Sequence, residues 1–121
     1  MITITNLAQR DLFINLSGTV SHDDYSHVLT PVLTNLFKQY EQVNLCIQFS
    51  SDFHDMEFKA LIDEAQLGLK YWPQWHKVAL LNEPQWLRPI AVAIEAIAPV
   101  TIDYFSTELE AELWFQEEDY F

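Results

Sequence analysis

Between two short apolar runs, Leu12–Leu16 and Val43–Ser50, apolar residues recur with a helical period: Tyr25, Val28, Leu29, Val32, Leu33, Leu36, Phe37 and Tyr40. Spacing of i, i+3, i+4 and i+7 gathers them on one face of an amphipathic helix. A strand, a crossover helix and a second strand predict a parallel pair with the helix packed on the sheet. The same unit then repeats. A second helix carries Phe58, Leu61, Ile62, Ala65, Leu69 and Trp72 and is stopped by Pro73. Val78–Leu81 is short and apolar, as a central strand would be. Asn82-Glu83-Pro84 suits the start of a third helix. Val100–Phe105 reads as the last strand, and Thr107 with Glu110 forms a capping box for a fourth helix carrying Leu109, Leu113 and Trp114. Ahead of all this, Ile2–Leu7 and Leu12–Leu16 alternate as two β-type runs joined by Ala8-Gln9-Arg10, which predicts a hairpin. The predicted order is ββαβαβαβα: one α/β domain over residues 1–121, with a mixed, mostly parallel sheet flanked by helices.

Local signals support these boundaries. Gly18 ends the second strand. Ser21 is a good N-cap, with Asp23 and Asp24 in the first turn, where the helix dipole favours negative charge. Pro31 lacks a backbone donor and predicts a kink or a detached first turn. Half of the residues are apolar and 14% are aromatic, enough for a packed core. Lys and Arg number 6 against 18 Asp and Glu, for a net charge of −12. That surface repels nucleic-acid phosphates and anionic lipid alike, so nucleic acid is not an expected partner. The acidity concentrates between Glu108 and Asp119, and we read it as a solvated face. The only cysteine, Cys46, sits in an apolar run and reads as a buried, inert thiol. No basic start is followed by a long apolar stretch, and no apolar run reaches the length of a membrane span. A cytoplasmic protein is expected.

No catalytic constellation stands out. His22, Asp23 and His27 cluster at the first helix start, and His54 lies between Asp52 and Asp55. Asp23 and His27 are four apart and could share a helix face, but no further ligand stands at a recognisable spacing for either group, so no metal is assigned. Ser50, Ser51 and Cys46 lack the flanking residues of an activated nucleophile. Two glycines in the chain exclude a Gly-rich phosphate loop. We assign no catalytic residue and no cofactor.

Two apolar features are more informative. Ten of the thirteen residues from Trp86 to Ala98 are hydrophobic, and only Arg88 and Glu95 are charged. A helix on one side of a sheet needs only an apolar stripe. This one is apolar nearly all round. Tyr71-Trp72-Pro73-Gln74-Trp75-His76 also places three large aromatics at the end of helix two, beside Lys70 and Lys77. They suit a core, an apolar pocket or a membrane interface. One expectation follows: a hydrophobic or lipid-like ligand between helices two and three, touching Phe58, Ile62, Trp72, Trp75, Trp86, Leu87 and Ile90. Lys70 or Arg88 would pair with an acidic head group, and peripheral contact with a membrane belongs to the same expectation. The alternative expectation is a protein-interaction module, either a homodimer through helix three or a regulator of a partner protein.

The element order resembles the STAS fold of bacterial anti-sigma-factor antagonists, and more closely the SpoIIAA-like family, which is similar in architecture to CRAL-TRIO lipid-binding domains. The residues that carry the resemblance are Gly18-Thr19-Val20-Ser21-His22-Asp23-Asp24-Tyr25, then Phe49 and Phe53. Gly68-Leu69-Lys70-Tyr71-Trp72, Lys77-Val78-Ala79-Leu80-Leu81 and Trp86-Leu87 complete it. The resemblance implies a mixed sheet flanked by helices, no cofactor, no established enzymatic activity and an apolar ligand site under mobile helices. STAS regulators carry a phosphorylatable serine where the helix after the third strand begins. Here that stretch reads Phe49-Ser50-Ser51-Asp52-Phe53-His54-Asp55-Met56. Its serines come early, no glycine follows, and Asp52 and Asp55 would repel a phosphate. A kinase-regulated switch is not expected.

Overall fold

The computed structural model describes residues 1–56, 74–97 and 100–117. Strands β1 (Ile2–Ala8) and β2 (Asp11–Leu16) form the predicted hairpin, closed by a turn in which Gln9 takes a left-handed φ of 55°. β3 (Thr19–Val20) leads into α1 (His22–Asp24), a π-helical turn (Tyr25–Leu29) and α2 (Thr30–Gln39). β4 (Val43–Phe49), β5 (Asp55–Met56), β6 (Trp75–Leu81), α3 (Leu87–Ile97), β7 (Thr101–Phe105) and α4 (Glu108–Gln116) complete the described chain. The main sheet has the order β1-β2-β4-β6-β7. β1 is antiparallel to β2, and every other pairing is parallel. The expected mixed sheet with flanking helices is the fold observed. The second predicted helix, Phe58 to Trp72, falls outside the described residues.

Both faces of the sheet are buried, because alternate residues of each strand point to opposite sides. Leu12, Ile14 and Leu16 of β2, Val43, Leu45 and Phe49 of β4 and Leu80 of β6 pack with α2 and with Ala91 of α3. Phe13, Cys46, Ala79 and Leu81 face the other way and meet Ala111 and Phe115 of α4. α2 and α3 therefore cover one face and α4 the other.

The structure departs from the sequence expectations in five places. β3 and β5 pair with each other as a two-stranded parallel ladder, too short for any periodicity to register. Pro31 gives the detached first turn, one of its two expected outcomes, but through a π-helical turn that the helical period did not announce. It cannot donate to the carbonyl four residues back, so the preceding turn widens and Thr30 N–H bonds to Tyr25 O, five residues back. Pro31 then occupies the first turn of α2, where no donor is needed. Trp75 belongs to β6 and not to a loop after helix two. It packs edge-on against Phe37 of α2, ring centroids 5.0 Å apart. The third helix begins at Leu87, not beside Pro84, and Leu87 N–H bonds to Pro84 O in the turn before it. In α4, Leu109 and Leu113 point to solvent, whereas Ala111 and Phe115 are buried. Helical phase decided this: the residues that land over Phe13 and Cys46 are 111 and 115, not 109 and 113.

Candidate functional site

Open α/β sheets present their sites beyond the carboxyl ends of the parallel strands. Three loops are tied together there. Gly18, at φ 56°, turns the chain after β2, and its carbonyl accepts from His54 N–H at 2.8 Å. Ser50 N–H bonds to Leu16 O, and Phe53 N–H to Ser50 O, both at 2.9 Å, closing a tight turn after β4. Phe53 stands edge-on to Phe49, centroids 5.0 Å apart, which seats the turn on the core. Asn82, in the left-handed region at φ 56°, donates from Nδ2 to Phe49 O at 2.9 Å. The β6–α3 loop is thus bonded to the end of β4, and α3 springs from a fixed base.

α3 sits shallowly on this platform. Ala91 is buried and Leu87 half-buried, whereas Trp86, Ile90, Val92 and Ile94 are 42–63% exposed. Ile90 and Ile94 stand one turn apart as a ridge on one flank of the helix, and Trp86 is exposed in the turn that leads into it. The all-round apolar character read from the sequence is therefore spent on a solvent-facing ridge and not on burial of two faces. Arg88 does not offer a free charge. Its guanidinium bonds to Glu83 Oε2 at 2.8 and 2.9 Å and lies over the Tyr104 ring at 4.4 Å. That arrangement clamps the start of α3 to β7.

Of the residues expected to bind a ligand, Trp86, Leu87, Arg88 and Ile90 are brought together at the start of α3. Trp75 is held against Phe37 beneath α2. Phe58, Ile62, Lys70 and Trp72 lie outside the described residues. The acid-and-histidine cluster near the first helix serves local structure. Ser21 caps the helix by accepting from Asp24 N–H, and Asp24 Oδ2 accepts from Ser21 N–H at 2.8 Å and its hydroxyl at 3.0 Å. Burial pushes the Asp24 carboxyl up, but the Ser21 hydrogen bonds and the Met1 ammonium outweigh it and hold it below the ordinary carboxylate range. His22 meets the Ser26 hydroxyl at 3.3 Å, and His27 the Asp23 carbonyl at 3.1 Å. Burial, with the nearby Glu108 charge, pushes the Cys46 thiol up to about 12, which makes it a poor nucleophile.

At the opposite, amino ends of the parallel strands, sequence reading missed a polar cluster. Asn44 is fully buried. It donates from Nδ2 to Asp11 Oδ1 at 2.8 Å, and its Oδ1 accepts from Lys77 N–H at 3.1 Å and lies 3.2 Å from His76 Nδ1. The buried Lys77 ammonium donates to Trp114 O and Glu117 O and so caps the carboxyl end of α4. Gln9, Arg10, Asp11, Gln42, His76 and Glu117 line an open cleft of about 420 Å³ beside this cluster. The available signal was one asparagine inside the apolar run Val43-Asn44-Leu45-Cys46-Ile47.

This sheet order, with two helical layers and a tight loop after β4, defines the small α/β domain of the SpoIIAA fold. The chain belongs to the SpoIIAA-like family, whose family model matches residues 12–116. Its structure is similar to that of a protein of SpoIIAA-like fold from Shewanella loihica, with a TM-score of 0.72, 22% identity and coverage of 93% of this chain and 92% of that one. It is also similar to the unphosphorylated anti-sigma factor antagonist SpoIIAA, at a TM-score of 0.64, 14% identity and coverage of 96% and 98%. The phosphorylated SpoIIAA of Bacillus gives a TM-score of 0.61, 16% identity and coverage of 96% and 100%. No curated protein sequence matches the chain.

Proposed function

We propose that this protein is a non-catalytic regulatory module that works by binding a partner protein, with the ridge of α3 and the adjoining loops as the contact surface. The observation that carries the reading is the exposure of Ile90 and Ile94 on one flank of a helix, with Trp86 exposed in the turn before it and the base held by Asn82 and Arg88. Apolar side chains clustered on a rigid element are the usual anchors of an interface. The reading is supported by the shared fold of an anti-sigma factor antagonist. It is preferred to an apolar-ligand site because Trp75 is committed to Phe37 and Arg88 to Glu83 and Tyr104. No described helix is long and apolar enough to cross a membrane.

The test is a binary complex rebuilt from purified components. A partner is first identified by capture from the native host on the wild-type protein and then titrated calorimetrically. Ile90→Asp and Ile94→Asp should each cost about 2 kcal/mol of binding or more, the scale of a central interface residue. Both side chains are exposed, so the melting temperature should hold. A complex indifferent to both changes would refute the docking face. If, instead, oleate or neutral vesicles produce a saturable blue shift of tryptophan emission that Ile90→Asp removes, the apolar-ligand reading replaces this one.

A further inference from the structure

α4 carries a second surface, on the opposite face of the sheet from α3. Leu109 and Leu113 are 62% and 58% exposed and stand one turn apart on its outer side. Nothing in the burial of α4 requires them, since Ala111 and Phe115 supply its core contacts. Carboxylates surround this pair. At helical spacing Glu110 falls on one flank and Glu112 on the other, and Glu117 follows at the C-cap. Glu108 lies on the inward side, where its charge reaches Cys46. Glu108–Gln116 contains no Lys or Arg. Lys77, the cation nearest the end of the helix, is buried and bonded to the Trp114 and Glu117 carbonyls.

We infer that this ridge docks a helical protein segment bearing apolar residues one turn apart and flanked by Lys or Arg. Two leucines supply the apolar seam, and the glutamates on both sides supply the charge complement, as in the core and flanking positions of a coiled coil. The same charges select among occupants. A second copy would oppose glutamate to glutamate on both flanks and would add one chain of net charge −12 to another. An anionic lipid surface is repelled for the same reason. Neither the α3 ridge nor its partner enters this inference.

The experiment uses the full chain and two fluorescein-labelled helical peptides. Both present leucines four residues apart, one with lysines on the flanks and the other with glutamates. The lysine peptide should bind saturably at one per chain, more weakly as salt is raised. Leu109→Ala with Leu113→Ala should weaken it about tenfold or more with the circular dichroism spectrum and melting temperature kept, a loss of the order of one good apolar contact. Ile90→Asp should leave it unchanged. Equal binding to the double variant would show diffuse attraction to an acidic surface and overturn the inference. Equal binding of the glutamate peptide, or no saturable binding, would overturn it as well. So would self-association, or adsorption to anionic vesicles, that the double variant abolishes.

Discussion

Replacing Asn44 with alanine should destabilise the protein by about 3 kcal/mol, although Asn44 is not in the apolar core. The reason lies in the register of β4 and β6. Val43 pairs with Trp75, but Leu45 pairs with Val78, so Asn44 faces both His76 and Lys77 across a bulge. Lys77 N–H has Asn44 Oδ1 as its acceptor, at 3.1 Å. That bond also settles the orientation of the amide, because a backbone N–H must meet the oxygen. Removing the side chain leaves a buried donor orphaned, at a cost of about 1–3 kcal/mol. It also removes the charge-assisted bond from Nδ2 to Asp11, worth about 1.5 kcal/mol before Asp11 is rehydrated. Together these remove a large share of a typical stability of about 5–15 kcal/mol. Urea unfolding followed by circular dichroism is the assay, and the slope should not change. Asp11→Ala is the control. It takes the acceptor from the buried Asn44 Nδ2 but leaves Lys77 N–H satisfied, so it should cost about 2 kcal/mol, less than Asn44→Ala. If Asn44→Ala costs no more than Asp11→Ala, Asn44 does not stand in for the missing ladder acceptor and the reasoning fails.

Lys77→Met keeps the length of the side chain but removes the cap of α4. We expect a loss of about 2 kcal/mol and faster amide exchange in the last turn of α4, with β4 unaffected. Unchanged exchange there would contradict the capping role. Asp24→Asn should cost about 1 kcal/mol at neutral pH by weakening the Ser21 box. Because the folded-state carboxyl is held below 3.8, its contribution is complete above that value and is lost as the pH falls through the lower folded value. The gap between wild type and Asp24→Asn should therefore close in acid, and a gap that widened there would reverse the assignment. Cys46, with its thiol pushed up to about 12, should resist a thiol reagent at pH 8 until the protein unfolds. Rapid labelling of the native protein would show that β4 is not packed under α4.

The expectation for α4 shows why local pattern reading falls short. Leu109 and Leu113 look like core residues because they are large and apolar, as is Trp114, which does pack half-buried beside Phe105 and Phe115. Only the placement of Phe13 and Cys46 beneath the helix reveals that Ala111 and Phe115 occupy the contact. The same holds for Asn44. Its presence in an apolar strand was visible, but its partners lie 33 residues away on two other strands. The candidate site was legible only in part. Trp86, Leu87, Arg88 and Ile90 could be singled out, yet not the ion pair that commits Arg88.

Local chemistry dictates the alternation of strands and helices, the opening hairpin, the Ser21 cap and the parallel sheet. Each follows from bonds and periodicities that close within a few residues or from the handedness of a crossover. The tertiary structure decided which apolar residues remain in water. Burial depends on what lies across from a side chain, and the strands that supply the neighbour come from distant parts of the chain. The exposed ridge of α3 and the leucine pair of α4, on which both functional proposals rest, are consequences of that long-range packing.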